Sequence, residues 1–281
     1  MPSYEVTAAS AAEMPRFREW ADAEGWNPGR SDVIPFQAAD PRGFFLGRLD
    51  GEPVASVSAV RYGTDFGFIG FYISRPAVRG QGYGIRLWQA ATEHLAGRNV
   101  ALDGVVDQQE NYRRSGFRRV WNHVRYAGVP RGAEASAGIR LVDGRDVPFG
   151  QLADYDRRFF PAEREAFLSL WVGLPSHRSL AAVRDGRLEG FVVMRPAATG
   201  FRIGPLHAAS QDVASALIHG LVGDAPEEPV AVDVPDVNAP SVALMQRLGL
   251  KPTFECARMY TGPTPDTDHA GVFATTTLEL G

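Results

Sequence analysis

The same plan is written twice along these 281 residues, and that repetition limits the possible folds more than any single motif does. Asp50-Gly51 lies between two apolar runs, 44–49 and 54–61. It has a counterpart in Asp185-Gly186, between 180–183 and 188–194, at a displacement of 135. An Asp-Gly pair between apolar segments reads as a two-residue hairpin turn, because both central positions need positive φ. Ser115-Gly116-Phe117 matches Leu248-Gly249-Leu250 at a displacement of 133. Two landmarks that agree within two residues favour duplication over coincidence.

Around those landmarks the first half predicts a strand at 4–7, a helix at 11–23 and a Pro/Gly-containing stretch over 27–43. The hairpin follows, then a strand at 66–74, a helix at 82–96, a strand at 100–106, a short helix at 108–115 and a strand at 117–126. The second half predicts a strand at 139–142, helices at 146–159 and 162–172, the second hairpin and a strand at 201–203. A helix at 211–222, a strand at 229–234, a helix at 239–248 and a strand at 253–260 complete it. Hairpins mixed with helices give an α/β fold, α+β in character, around a largely antiparallel, partly parallel mixed sheet. The expected division is an N-terminal domain at 1–128, an exposed Gly/Ala/Pro-rich connector at 129–138 and a C-terminal domain at 139–281.

Composition removes several classes of function. A net charge of −4 with both signs interspersed argues against a dedicated nucleic-acid binder. With 44% hydrophobic residues there is ample material for a core, yet no apolar run approaches the roughly 20 residues of a membrane helix. The N-terminal Met-Pro-Ser-Tyr-Glu has no basic region followed by an apolar core, and Cys256 is the single cysteine, so a cytoplasmic protein is expected. The six histidines have no metal-ligand spacing among themselves or with Cys256, and no metal is expected. No G-x-S-x-G element supports a serine hydrolase.

The stretch that speaks of chemistry is Arg79-Gly80-Gln81-Gly82-Tyr83-Gly84. It follows an apolar strand and opens a helical pattern, so unpaired backbone N–H groups and the positive end of a helix dipole converge there. Glycines at alternate positions let a phosphate approach the backbone. The spacing fits neither G-x-G-x-x-G nor the Walker pattern. It resembles the R/Q-x-x-G-x-G/A signature of the GNAT superfamily of N-acetyltransferases, and the element order of both halves is similar to the GNAT fold. The chain is thereby identified as a tandem GNAT protein with two GNAT-like acyltransferase domains. The resemblance implies that Arg79, Gly80, Gln81, Gly82, Tyr83 and Gly84 hold the pyrophosphate of acetyl-coenzyme A (acetyl-CoA). It also implies that the strand backbone near Ile73 and Ser74 meets the thioester.

Only one half keeps the signature. At a displacement of 132, within a few residues of the landmarks, Gln211 to Ala216 reads Q-x-x-A-x-A, with Asp212 opposite Gly80, so the second half is not expected to bind the cofactor in the usual manner. Tyr112, four residues before Gly116-Phe117, resembles the family tyrosine that protonates the departing thiolate; Met245 stands opposite it. Asn238 matches an asparagine of many family members, where the first half has Val105. The strand before the loop lacks the glutamate by which many members deprotonate the amine. Asp103 is the candidate base, with Asp65 and Asp107 nearby and a water chain or Glu255 equally open. Phe71 and Tyr72 are candidates for the acceptor pocket, and Arg178, Arg258 or Tyr260 for its closure by the second half. Arg113, Arg114, Arg118 and Arg119 could meet the 3′-phosphate of coenzyme A, but most of them read as a solvated basic face.

The expected function is transfer of an acetyl group from acetyl-CoA to a primary amine in a ternary complex, in the first half. The acceptor is a small molecule, with a protein or peptide amine open and a homodimer possible. The alternative is a GNAT-fold module that senses an acyl-CoA or a small amine without turnover.

Overall fold

The computed structural model describes residues 2–131, 138–223 and 227–281. The first half contributes β1 (Tyr4–Ala8), α1 (Met14–Ala23), α2 (Val33–Ala39), β2 (Phe44–Leu49), β3 (Glu52–Tyr62), β4 (Phe66–Ser74), α3 (Tyr83–His94), β5 (Asn99–Val105), α4 (Gln109–Arg114) and β6 (Arg118–Gly128). The second contributes β7 (Arg140–Asp143), α5 (Phe149–Asp156), α6 (Glu165–Gly173), β8 (Arg178–Arg184), β9 (Arg187–Pro196), β10 (Phe201–Ala208), α7 (Gln211–Val222), β11 (Val230–Pro235), α8 (Ala239–Arg247), β12 (Lys251–Tyr260) and β13 (Val272–Ala274). Residues 132–137 of the expected connector lie outside the described residues.

Both hairpins form as the Asp-Gly pairs demand, with positive φ at Asp50, Gly51, Asp185 and Gly186. Two elements depart from expectation. The 27–43 stretch contains α2, because Pro35 falls in the first helical turn, where a missing N–H costs nothing. The short β13 carries no periodicity of its own and is a strand only because β10 pairs with it.

The strands form one mixed sheet in the order β1-β2-β3-β4-β5-β12-β6-β11-β10-β9-β8-β7. Sequence order breaks at the centre. β12 of the second half lies antiparallel between β5 and β6, and β6 of the first half lies antiparallel between β12 and β11. Each half therefore gives its last long strand to the other. The α-helices of the two halves also meet. Phe36 on α2 stacks on Trp171 of α6 at 5.9 Å, and Phe17 and Phe36 each contact the ring of Phe71 at 5.8 Å. Asp32 and Arg195 form a buried ion pair at 2.9 Å across the same seam.

Strand exchange has a direct consequence for dissection. Residues 1–131 alone leave β6 without either neighbour and β5 with an open edge. Expressed alone they are expected to aggregate or to pair with a second copy, and to regain solubility on co-expression with 138–281. A well-folded monomer of 1–131, seen by size exclusion and far-ultraviolet dichroism, would contradict the exchange.

Candidate functional site

The glycine turn stands at the N-terminus of α3 as a short left-handed loop. Gly80 has φ +76° and Gly82, the residue capping α3, has φ +84°, conformations that L side chains rarely adopt. A Cβ built on either glycine meets nothing within 4 Å, so the space before both is open. Ile73, Ser74, Arg79, Gly80, Gly82 and Gly84 line the resulting cleft of about 490 Å³. The side chains of the loop brace it. Arg79 donates from Nε to the Ser74 carbonyl at 2.8 Å and pairs with Glu24, and Gln81 donates to the Ala77 carbonyl at 2.9 Å. Tyr83 stacks on Tyr4 at 4.7 Å. What the turn presents to the cleft is therefore backbone N–H groups and the positive end of the α3 dipole.

The cleft continues into a gap in the sheet. β4 and β5 pair in parallel only over Phe66–Ile69 and Asn99–Leu102, and diverge beyond. β4 bulges where the divergence starts. Its register with β3 jumps from Ser58↔Gly70 to Ser56↔Ile73, Phe71 has φ +47°, and Ser56 donates its hydroxyl to the Phe71 carbonyl at 2.9 Å. The bulge takes the Phe71 and Tyr72 backbone out of the ladder beside the gap. Two strands that have stopped bonding to each other leave backbone groups unpaired along the gap.

At the end of the gap lies a smaller pocket of about 70 Å³, bounded by Trp26, Tyr72, Tyr112, Phe254, Leu278 and Glu279, with Phe71, Asp103 and Cys256 among its walls. Tyr112 is 8% exposed, wedged against Trp88 at 5.4 Å, and burial followed by the neighbouring Tyr72 raises its phenol above the ordinary value. The phenol is therefore protonated at neutral pH and is a proton donor. Tyr72, raised to about 12 mainly by burial, joins pocket and cleft. Of the two residues expected in the acceptor pocket, Phe71 is buried against Phe17 and Phe36 and is also one of the pocket's wall residues.

Asp103 is committed elsewhere. Its two carboxylate oxygens accept from Arg258 Nε and Nη2 at 2.9 and 2.8 Å, and Oδ1 also meets His123 Nδ1 at 2.9 Å. Burial alone would raise its pKa, but Arg258 and His123 hold it down at about 2. A carboxylate so stabilised as an anion is a poor proton acceptor. Trp121 donates to His123 Nε2 at 3.2 Å, which leaves Nδ1 to carry the proton toward Asp103. The fold brings Asp103, His123 and Cys256 within 4.8 Å of one another, a juxtaposition that no sequence spacing announces, and hydrogen bonds within the group and to Arg258 occupy it. Cys256, buried, has its thiol pushed up by that burial.

Of the other candidates, Asp65 and Asp107 are exposed, and exposed Glu255 is bonded to Asn122. The second half closes the pocket with Phe254, Cys256, Leu278 and Glu279, whereas Arg178 donates to the Gly220 and Leu221 carbonyls, Arg258 is spent on Asp103, and Tyr260 sits in the aromatic core.

The matching cleft of the second half is shut. β4 reaches α3 through Arg75 to Gly82, but β10 reaches α7 through Ala209 and Ser210 alone, so the turn that would hold a pyrophosphate is missing rather than substituted. Gln211, matched to Arg79 by the repeat displacement, is instead the first residue of α7, and the Ser210 hydroxyl accepts from Val213 N at the helix start. β10 and β11 also part after Ile203 and Val232, yet β13 enters their gap, pairing with β10 and followed by Thr275 N donating to the Asp233 carbonyl at 3.0 Å. Asn238 donates to the Ala270 and Val272 carbonyls at 3.0 and 2.8 Å. The asparagine that resembles a cofactor contact holds the chain's own segment.

Two matches to family models divide the chain as its repeat does. Residues 9–117 match the acetyltransferase (GNAT) family, and residues 152–274 match an acetyltransferase (GNAT) domain. Over 276 residues the chain is 33% identical to the holothin acyltransferase of Pseudoalteromonas sp. (strain SANK 73390), covering 97% of this chain and 93% of that one. A crystal structure from Pyrococcus horikoshii assigned as an acetyltransferase superposes with a TM-score of 0.83 at 20% identity, covering 99% of this chain and 96% of that one. A tandem GNAT protein from the clavulanic acid biosynthesis pathway gives 0.64 at 15% identity, over 93% and 100%. No described helix is long and apolar enough to cross a membrane. With its two GNAT domains in tandem, the chain belongs to the GNAT family and is an acyltransferase.

Proposed function

We propose that the protein is a cytoplasmic N-acetyltransferase that moves the acetyl group of acetyl-CoA to the primary amine of a small molecule. The active cleft belongs to the first domain, residues 1–128, and the second, 139–281, closes the acceptor pocket. One observation carries the reading: open left-handed glycines, a bulged and splayed strand pair and a buried phenol meet along one cleft, in one half only. That the relative is a holothin acyltransferase supports a small acceptor, as does the size of the pocket.

In this reading the loop from Arg79 to Gly84 binds pyrophosphate through backbone N–H groups, and the β4 bulge at Phe71 to Ile73 receives the acyl end. The amine attacks the thioester carbonyl directly, with no covalent enzyme intermediate, and Tyr112 gives its proton to the sulfur as the C–S bond breaks. Holding two substrates in line supplies much of the rate.

Acetyl-CoA at about 100 times its dissociation constant should stabilise the wild type by roughly 2.7 kcal/mol, read as a rise in melting temperature. Gly82→Asp should abolish that rise, because a side chain fills the open space and its charge repels the pyrophosphate, while strain lowers the unliganded stability by about 1–2 kcal/mol. A rise that persists in the variant moves the cofactor off this turn. Tyr112→Phe should keep the rise and lose roughly 10²–10⁴-fold in kcat with holothin as acceptor. Undiminished turnover would remove Tyr112 from the mechanism.

A further inference from the structure

We infer that Glu279, brought from the second half by the segment after β13, binds and deprotonates the acceptor amine, and that the acceptor is a small monoamine with a flat apolar body. The inference rests on the transferase reading above and adds to it a base and a substrate class.

Glu279 and Asp103 are the two carboxylate residues in the walls of the pocket that also holds Tyr112. Asp103 is saturated by Arg258 and His123. Glu279 is 4% exposed, and its carboxylate makes no hydrogen bond or ion pair with any described residue. A buried carboxylate without a partner is costly, so one that faces a pocket is a group awaiting a cationic or hydrogen-bonding ligand. Its surroundings suit a base. Burial raises its pKa above the ordinary carboxylate range, while Arg202 and Arg125 oppose that rise from beyond ion-pair distance. Those arginines are themselves committed to Asp233, and Asp32, the further acid acting on Glu279, is committed to Arg195.

Its position is set by the backbone. A Cβ on Gly70 would lie 2.0 Å from the Glu279 carbonyl, so the segment presses on β4 at the residue before the bulge. That contact places Glu279, a wall residue of the pocket, next to the bulge where the thioester carbonyl is expected. Tyr62 donates to the Leu280 carbonyl at 3.1 Å, and Arg164 donates to the Gly281 carbonyl at 3.2 Å and to Thr276 Oγ1 at 2.9 Å, which fix the segment on both sides of the site.

The step balances. One proton leaves the ammonium for Glu279, and the freed lone pair forms the C–N bond while the carbonyl π pair moves to oxygen. The C–S bond then breaks, the sulfur takes the Tyr112 proton, and the second N–H proton of the new ammonium returns to the phenol. Amide and thiol leave, and Glu279 releases its proton to solvent. With one free carboxylate among aromatic walls (Trp26, Tyr72, Phe254), the pocket can neutralise one amine. Polyamines and aminoglycosides would carry further charges into it without partners.

The test follows thiol release from acetyl-CoA with benzylamine and phenethylamine against spermidine and kanamycin. The monoamines should be turned over, and faster turnover of either polycation overturns the substrate class. With the best amine, Glu279→Gln should lower kcat at least 100-fold, leave the KM for acetyl-CoA within about threefold and keep its thermal shift. A kcat within fivefold of wild type, or loss of the shift together with kcat, overturns the base. Should the Gln variant not fold, Glu279→Asp decides: a tenfold or greater fall with the shift intact supports the base, and wild-type turnover overturns it. Absence of any acetyl-CoA shift in wild type brings down the transferase reading beneath it, and is seen before an amine is added.

Discussion

Two buried arginine–aspartate pairs hold the centre of the sheet and, through it, everything the chain can do. Arg258 on β12 reaches Asp103 on β5, and Arg125 on β6 reaches Asp233 on β11. In both pairs the arginine stands directly opposite its aspartate in the strand register. The two contacts are the same contact made twice, since Arg125 and Arg258 differ by the 133 residues of the repeat. At the middle of the exchange His123 faces Cys256, again 133 residues apart, so a pseudo-twofold axis passes between β6 and β12. This is an isologous interface with both copies in one chain. A buried ion pair adds little net stability against a well-packed apolar pair, but removing one partner costs about 3–5 kcal/mol. The pairs therefore act on register: β12 cannot slip along β5, or β6 along β11, without stranding a charge.

The symmetry stops where the chemistry starts. Both halves splay the same two strands, and a splayed pair leaves backbone groups that need partners. In the second half the chain supplies them itself, through β13 and the carbonyls that Asn238 holds. In the first half the gap stays open behind a loop whose glycines face empty space. One copy of the fold has become a closed scaffold, and the segment that closes it runs on to line the pocket of the other.

Much of this was legible in the sequence. The Asp-Gly turns fixed the hairpins because few backbones accept two consecutive positive φ angles, and the spaced glycines announced the loop for the same reason. Tyr112 stands out because its spacing to Gly116-Phe117 is local, and the fold sets it in the pocket wall. What escaped was long-range. The exchange of β6 and β12 has no local signature, since a strand reads alike beside either neighbour. Asp103 looked available because Arg258, 155 residues away, is invisible to a local reading. Glu279 had no motif at all; what distinguishes it is the approach of its carbonyl to Gly70, made by folding alone. The deleted turn before α7 was hidden for another reason. A fixed displacement of about 133 carried Gln211 onto Arg79, and only the strand and helix ends reveal that residues are missing there.

Placing the free carboxylate on the far half has a physical logic. A carboxylate on β4 itself would share its strand with the bulge, and any motion that admitted the pantetheine arm would move the base as well. Carried on 275–281, the group is anchored to Tyr62 on β3 and to Arg164, itself locked to Asp156 by two hydrogen bonds of 2.8 Å. The β4–β5 gap can then adjust to the donor while the acceptor side keeps its geometry, which is how preorganised charge lowers a barrier without reorganising during the reaction. The second half thus contributes to the site of the first. It holds still the one polar group that the first half's strands cannot hold for themselves.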